Sequence, residues 1–130
     1  MSRSILVIKL GALGDLFLAL DVFHAIRAHH ANDHIVLLTR KQYMGFASQM
    51  PWFDEVWDDS SPKPWHVSRV LALRRRLLDG SFSRVYDLQG NDRTNSYFRL
   101  LGRNAPEWVG NARGCSHFIQ WRTQESKIGG

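Results

Sequence analysis

The feature that most restricts the fold is the junction Gly11-Ala12-Leu13-Gly14-Asp15, which follows the apolar run Ile5-Leu6-Val7-Ile8 and precedes a stretch with helical spacing. Those three patterns in that order favour a strand, a tight turn and a helix. Gly11 and Gly14 let the backbone turn and let another molecule come close to it. Asp15 is left at the mouth of the turn, where the helix starts. In an open parallel sheet, this edge is where ligands bind. Asp15 therefore has two readings. An acidic residue at a helix start accepts backbone N–H groups and complements the helix dipole whatever the protein does. The same carboxylate on a ligand-binding rim can carry chemistry.

The rest of the chain repeats the pattern. Residues 4 to 10 read as a buried strand, and Leu16, Ala19, Leu20, Phe23 and Ile26 fall at helical spacing, with Asp21, His24 and Arg27 on the other face. His29 and His30 follow at the expected helix end, where solvated cationic side chains suit the dipole and no metal-ligand role is expected. Ile35 to Thr39 is a second strand, and Tyr43 to Met50 its helix, stopped by Pro51. Asp54 to Trp57 is a short third strand before a loop from Ser60 to Pro64. Val67, Val70, Leu71, Leu77 and Leu78 mark a helix crossed by Arg74, Arg75 and Arg76, which are expected as a solvated face.

After the turn at Gly80, Arg84 to Leu88 is a fourth strand. Gln89-Gly90-Asn91 makes a second strand-to-helix junction, and Thr94, Tyr97, Phe98 and Leu101 mark the helix beyond it. Glu107 to Val109 is expected as an edge strand, and residues 111–130 as an irregular tail. Trp52, Trp57, Trp65 and Trp108 are expected in core and loop packing. The alternation predicts an α/β fold: a Rossmann-like, three-layer parallel sheet with the first strand central. The turns at Gly14 and Gly90 are then on one rim, which holds a carboxylate, exposed backbone N–H groups, Gln89, Asn91 and Arg93.

A chain of 130 residues with 44% hydrophobic composition can build one core, so one domain is expected over residues 1–130. Seventeen Lys+Arg against twelve Asp+Glu, a formal net charge of +5, suit phosphates, nucleic acid or an acidic membrane surface without choosing among them. The single cysteine, Cys115, excludes an internal disulfide and a cysteine-only metal site, and makes a reducing, cytoplasmic setting the default. The first apolar run is too short for a membrane span and lacks the layout of a signal peptide, so any membrane contact is expected to be peripheral.

Several chemistries lack their motif. Counting G-x-G-x-x-G from Gly11 puts Leu13 and Leu16 where the second and third glycines belong, and no Gly-Lys-Ser or Gly-Lys-Thr follows. The second strand ends in Thr39-Arg40-Lys41, so of the dinucleotide readings only an NADP-like one, with Arg40 on a phosphate, stays open. Cys-x-x-Cys, His-Glu-x-x-His and G-x-S-x-G are absent, which removes local support for zinc, metalloprotease and α/β-hydrolase chemistry.

The motifs that are present resemble the ADP-heptose:lipopolysaccharide heptosyltransferases and their relatives, glycosyltransferase family 9. The likeness rests on Ile5 to Asp15 as ILVIKLGALGD, on Ile35 to Arg40 as IVLLTR, on Asp54-Glu55-Val56, and on Asp87-Leu88-Gln89-Gly90 with Arg93 shortly after, in that order. Val109 to His117, VGNARGCSH, looks like a post-strand segment of some members.

The resemblance implies the amino-terminal, acceptor-binding domain of a GT-B glycosyltransferase, in which two Rossmann-like domains face each other across a cleft. The carboxy-terminal donor-binding domain would lie outside this sequence, and the chain alone is expected to be inactive. By the same resemblance Asp15 is the general base, taking the proton of the acceptor hydroxyl as it attacks the anomeric carbon with inversion. Gly11, Gly14, Gln89, Gly90, Asn91 and Arg93 would bind substrate, with Arg93 pairing phosphate or acidic sugar groups. Lys63, in Pro62-Lys63-Pro64, would add positive charge to the acceptor side.

The implied donor is ADP-heptose or a similar nucleotide sugar, and the implied acceptor an anionic glycolipid or glycan of lipopolysaccharide biosynthesis. No cofactor, metal or nucleic acid is implied. The setting is cytoplasmic, with room for peripheral contact at the inner membrane. Two other readings stand beside this one: an NADP-like nucleotide-binding module, and a non-catalytic fragment that only folds or associates.

Overall fold

The structure, a computed structural model, describes residues 3–59, 65–112, 114, 115, 117 and 118. Lys63 lies outside the described residues. The first strand, β1 (Ser4–Ile8), explains the layering. Ile5, Leu6, Val7 and Ile8 are all buried, so both faces of the strand are covered. Because side chains alternate along a strand, Ile5 and Val7 join one core and Leu6 and Ile8 another. β2 (His34–Thr39) divides in the same way, with Ile35 and Leu37 on one side and Val36 and Leu38 on the other.

β3 (Glu55–Asp58), β4 (Arg84–Asp87), β5 (Glu107–Gly110) and β6 (His117–Phe118) complete a sheet of order β3-β2-β1-β4-β5-β6, parallel throughout. α1 (Leu13–Leu18), α2 (Leu20–His29) and α3 (Met44–Ala47) cover one face through Leu16, Phe23, Ile26 and Ala47. α4 (Val67–Asp79) and α5 (Asp92–Leu101) cover the other through Leu73, Leu77, Tyr97 and Leu101. This is the expected Rossmann-like, three-layer arrangement with β1 central. The chain goes from β1 to β2 on one side and returns to β4 on the other, which makes the carboxyl ends of β1 and β4 the topological switch point. Ile8 is level with both Leu38 and Asp87, so these three strand ends share one rim.

Several local expectations are corrected. The first helix begins at Leu13 and is divided at Ala19, whose N–H is shared between the carbonyls of Asp15 and Leu16 as helix ends often share one. The Tyr43–Met50 helix is reduced to a 3-10 turn at Lys41–Tyr43 and the single turn α3; there Ser48 Oγ bonds back to the Met44 carbonyl at 2.7 Å. β5 is not an edge strand, because His117 and Phe118 pair with Val109 and Gly110. Those two residues belong to the stretch expected to be an irregular tail; residues 119–130 lie outside the described ones.

His30 overturns its reading as a solvated helix-end cation. It is buried, with Nδ1 2.8 Å from Asp33 Oδ2 and Nε2 2.8 Å from the Tyr86 hydroxyl. The bonds tie the end of α2 to β4, and helical spacing placed the residue without indicating that partner. Asp33 in turn accepts the Arg3 N–H at 2.9 Å. The Arg3 N–H first, and the His30 side chain next, hold its carboxyl below the usual range.

A carboxyl depressed in the fold adds stability that is present above its unfolded pKa and lost as pH falls through the folded one. Acid titration of thermal stability should therefore be shallower below about pH 4 in Asp33→Asn than in the parent. Identical acid limbs in thermal unfolding would show that Asp33 contributes no such linkage.

Candidate functional site

The rim site begins at Gly11. Its φ of +141° is in the region that favours glycine, and a Cβ there would run into the Tyr43 ring. Ala12 then occupies the N-cap of α1, a position for which alanine has no side-chain acceptor. Asp15, three residues on, supplies one: its Oδ2 accepts the Ala12 N–H at 3.0 Å. The capping role expected of any acidic residue here is thus real, and it uses one oxygen. Asp15 is exposed, and its Oδ1 makes no hydrogen bond among the described residues.

Gly14 is not in the turn; it lies in the first turn of α1, and a Cβ on it would meet nothing within 4 Å. The fold itself does not require a glycine there, and the space above it is open.

The second turn is organised by Asp87, at the end of β4. Its Oδ1 accepts the Gly90 N–H at 2.9 Å and the Gln89 N–H at 3.2 Å. Burial holds this carboxyl above the usual range, against the opposing pull of Gly90, Thr94, Gln89 and Trp108. Gly90 takes a φ of +60°, which turns the chain into α5. Asn91 caps that helix, its Oδ1 accepting the Thr94 N–H at 3.0 Å while Thr94 Oγ1 accepts the Asn91 N–H at 3.2 Å.

A direct bond joins the two turns: the Leu10 N–H donates to Gln89 Oε1 at 3.0 Å. Lys9 Nζ reaches the Leu88 carbonyl at 3.3 Å beside it. With its oxygen committed, Gln89 keeps its amide N–H groups as donors toward the rim.

Gly11, Gly14, Asp15, Gln89, Gly90 and Asn91 are thereby gathered at the carboxyl ends of β1 and β4. Arg93 is directed elsewhere. It is half-buried and hydrogen-bonds the Tyr97 hydroxyl, which also donates to buried Asp59 at 3.2 Å. Burial, and then the Asp59 charge, push the Tyr97 hydroxyl well above its ordinary pKa. With Val70, Leu73 and Leu100, Arg93 and Tyr97 line a pocket of about 640 Å³ between α4 and α5.

Asn111 belongs to the rim and had no assigned role in the sequence reading. Its Nδ2 donates to the Gly90 carbonyl at 2.8 Å, while its buried Oδ1 finds no partner among the described residues. The signal for it was position: Asn111 follows β5, and every turn after a parallel strand opens on the same rim. Thr39 and Arg40, at the end of β2, leave Thr39 Oγ1 and Arg40 Nε buried and without a hydrogen-bond partner among the described residues. Among the described residues, no group of three His, Cys, Asp or Glu side chains could hold a metal ion, and no helix is long and apolar enough to cross a membrane.

No family model matches the chain, and no curated protein sequence matches it. Solved structures do. A glycosyltransferase family 9 protein from Veillonella parvula superposes with a TM-score of 0.77 at 20% identity, over 91% of this chain and 35% of that one. The ADP-heptose lipopolysaccharide heptosyltransferase II of E. coli gives a TM-score of 0.67 at 18% identity, over 86% of this chain and 31% of that one. The E. coli heptosyltransferase WaaC with ADP gives 0.66 at 16% identity, over 90% of this chain and 41% of that one. The chain thus spans only about a third to two-fifths of the length of these proteins. At such identities the likeness establishes architecture: this chain has the Rossmann-like parallel α/β fold found in the glycosyltransferases of family 9.

Proposed function

We infer that this chain is the acceptor-binding part of an inverting glycosyltransferase that moves heptose from ADP-heptose to an anionic glycolipid or related glycan. One observation carries the reading: the Gly11–Asp15 turn and the Asp87–Asn91 turn meet at the switch point, joined by the Leu10–Gln89 bond, and the rim they form holds the exposed Asp15 carboxylate and the open space at Gly14. A sugar hydroxyl is a poor nucleophile, and a carboxylate within hydrogen-bond reach can take its proton as the oxygen attacks the anomeric carbon. ADP then leaves with the electrons of the broken glycosidic bond. The Ala12 N–H fixes one oxygen of Asp15 and leaves the other to accept that proton. Gln89 and the Asn91 turn would orient the sugar, and the donor would be held by residues outside this sequence.

A nucleotide-binding module linked to NADP is the second reading. It is favoured by the strand order and by Arg40, whose buried Nε lacks a hydrogen-bond partner among the described residues. Thermal unfolding with separate additions of an anionic glycolipid acceptor, ADP-heptose and NADPH separates the two. A ligand of the native state at about a hundred times its Kd adds about 2.7 kcal/mol, several degrees in Tm. The expected result is a rise with the acceptor and little change with NADPH. A rise with NADPH alone would reverse the assignment.

A further inference from the structure

The carboxyl rim has a second corner, at the ends of β2 and β3. There Lys41, in the 3-10 turn after β2, and Asp58, the last residue of β3, share a pocket of about 510 Å³ with Arg69, Ala72, Leu73 and Arg76 of α4. Arg69, Ala72 and Arg76 are spaced i, i+3 and i+7, so they form one stripe along the helix. The single methyl group of Ala72 lies between the two arginines and keeps the space between them open. Leu73, which is buried, gives the pocket an apolar floor.

The charges here do not cancel, because three cations line the pocket against one carboxylate, Asp58. Glu55, whose charge Arg76 also feels, is engaged by His34 and by the Trp57 indole N–H. The Arg76 guanidinium is stacked 4.3 Å from the centre of the Trp57 ring, which fixes its plane and leaves its N–H groups directed along that plane. A fourth cation is close by in sequence. Arg40 keeps the extended backbone of β2, with φ −80° and ψ 149°, so alternation puts it on the α4 side of the sheet with Val36 and Leu38. Its Nε is buried without a hydrogen-bond partner among the described residues.

We propose that this pocket binds the phosphate of a phosphate monoester, with Arg69, Arg76 and Lys41 as its donors. An excess of two positive charges matches a group that carries about −1.5 to −2 at neutral pH, and paired guanidinium N–H groups fit phosphate oxygens. A carboxylate would satisfy only half of that charge. The volume leaves room for part of the molecule that carries the phosphate. Binding at this corner stands or falls without the transferase reading, which depends on the Asp15 turn. Only the source of the phosphate rests on the function: a phosphate on the glycolipid acceptor under the first reading, the 2′-phosphate of NADP under the second.

Titration of the chain with glucose 1-phosphate and with adenosine 2′-monophosphate, followed by amide chemical shifts, tests the site, with glucose, adenosine and acetate as controls. The expected result is saturable binding of at least one monoester with a Kd of about a millimolar or below, shifts centred on Lys41 and the first two turns of α4, and binding of the controls weaker by about tenfold or more. Arg69→Gln and Lys41→Gln should each raise Kd about fivefold or more. Ala72→Leu keeps every charge and fills the gap, so it should raise Kd about tenfold. Arg75→Gln removes the same charge from the same helix outside the pocket and should leave Kd within about twofold. All four positions are exposed, and circular dichroism confirms that the variants fold. Tighter binding of the sugar phosphate assigns the glycolipid as source, and tighter binding of the nucleotide assigns NADP; either order keeps the site. Absence of saturation, parent-like binding by Ala72→Leu, or an Arg75→Gln loss equal to that of Arg69→Gln would overturn the proposal and leave only general attraction to a basic surface.

Discussion

Asp15→Asn, made in this chain joined to a matching donor-binding half, should leave a folded protein that binds acceptor and has lost most of its turnover. Two roles of one side chain are being separated. As a cap, Asp15 uses Oδ2 to accept the Ala12 N–H. Asparagine has a carbonyl oxygen that can do the same, so stability should fall by no more than a few tenths of a kcal/mol. As a base, Asp15 must accept a proton, which an amide cannot do, and removing a positioned general base lowers rate by about two to four orders of magnitude.

The informative quantity is the pairing of outcomes. Steady-state transfer should drop in kcat while Tm and acceptor affinity stay near the parent values. Transfer within a few-fold of the parent would make Asp15 a cap only, and the catalytic group would then have to come from the donor-binding half.

The double use of Asp15 also marks how far the sequence could be read. Unbroken apolar runs of strand length located β1 and β2, which are buried on both faces, and apolar positions at helical spacing located the helices beside them. Since strand order follows from right-handed crossovers, the same patterns placed both turns on one rim. What they could not supply was side-chain direction across long sequence separations.

His30 looked like a solvated helix-end residue, but its partner Tyr86 is 56 positions away. Arg93 is two residues past a rim cap and helical geometry alone allows it to face the ligand; the Tyr97 hydroxyl and the buried Asp59 draw it to the groove between α4 and α5. Gly14 shows the opposite case, a residue singled out for turn-making that proves to be helical, with open space above it. Such contacts are decided by tertiary packing, which no local period encodes.

The arginine triplet divides for the same reason. Arg74 Nε donates to the Leu100 carbonyl at the end of α5 at 3.2 Å, and the Arg76 guanidinium stacks 4.3 Å from the Trp57 ring. Only Arg75 matches the simple expectation of a solvated arginine. Helical rotation separates three neighbouring side chains by about 100° each, so one triplet serves a helix cap, an aromatic face and solvent.

Trp108 and Trp65 should give opposite results when each is replaced by alanine. Trp108, on β5, is fully buried; its ring packs edge-on against Phe98 at 5.3 Å between centroids and joins the core formed by Leu6, Ile8, Leu73 and Tyr97. Truncation there removes the apolar surface and leaves a cavity under α5, which typically costs about 3–5 kcal/mol. Against a total stability of about 5–15 kcal/mol for a domain, that should lower Tm by on the order of 10–20 °C. It would also loosen the pairing of β5 with β4, on which the placement of Asn111 against Gly90 depends. Trp65, at 70% exposure, has almost no buried surface to lose, so Trp65→Ala should shift Tm by a degree or less. Thermal unfolding of the two variants side by side checks both. A similar Tm for both would mean that Trp108 does not support the sheet as its burial implies. A large loss only in Trp65→Ala would mean that the outer side of α4 is covered in the folded protein.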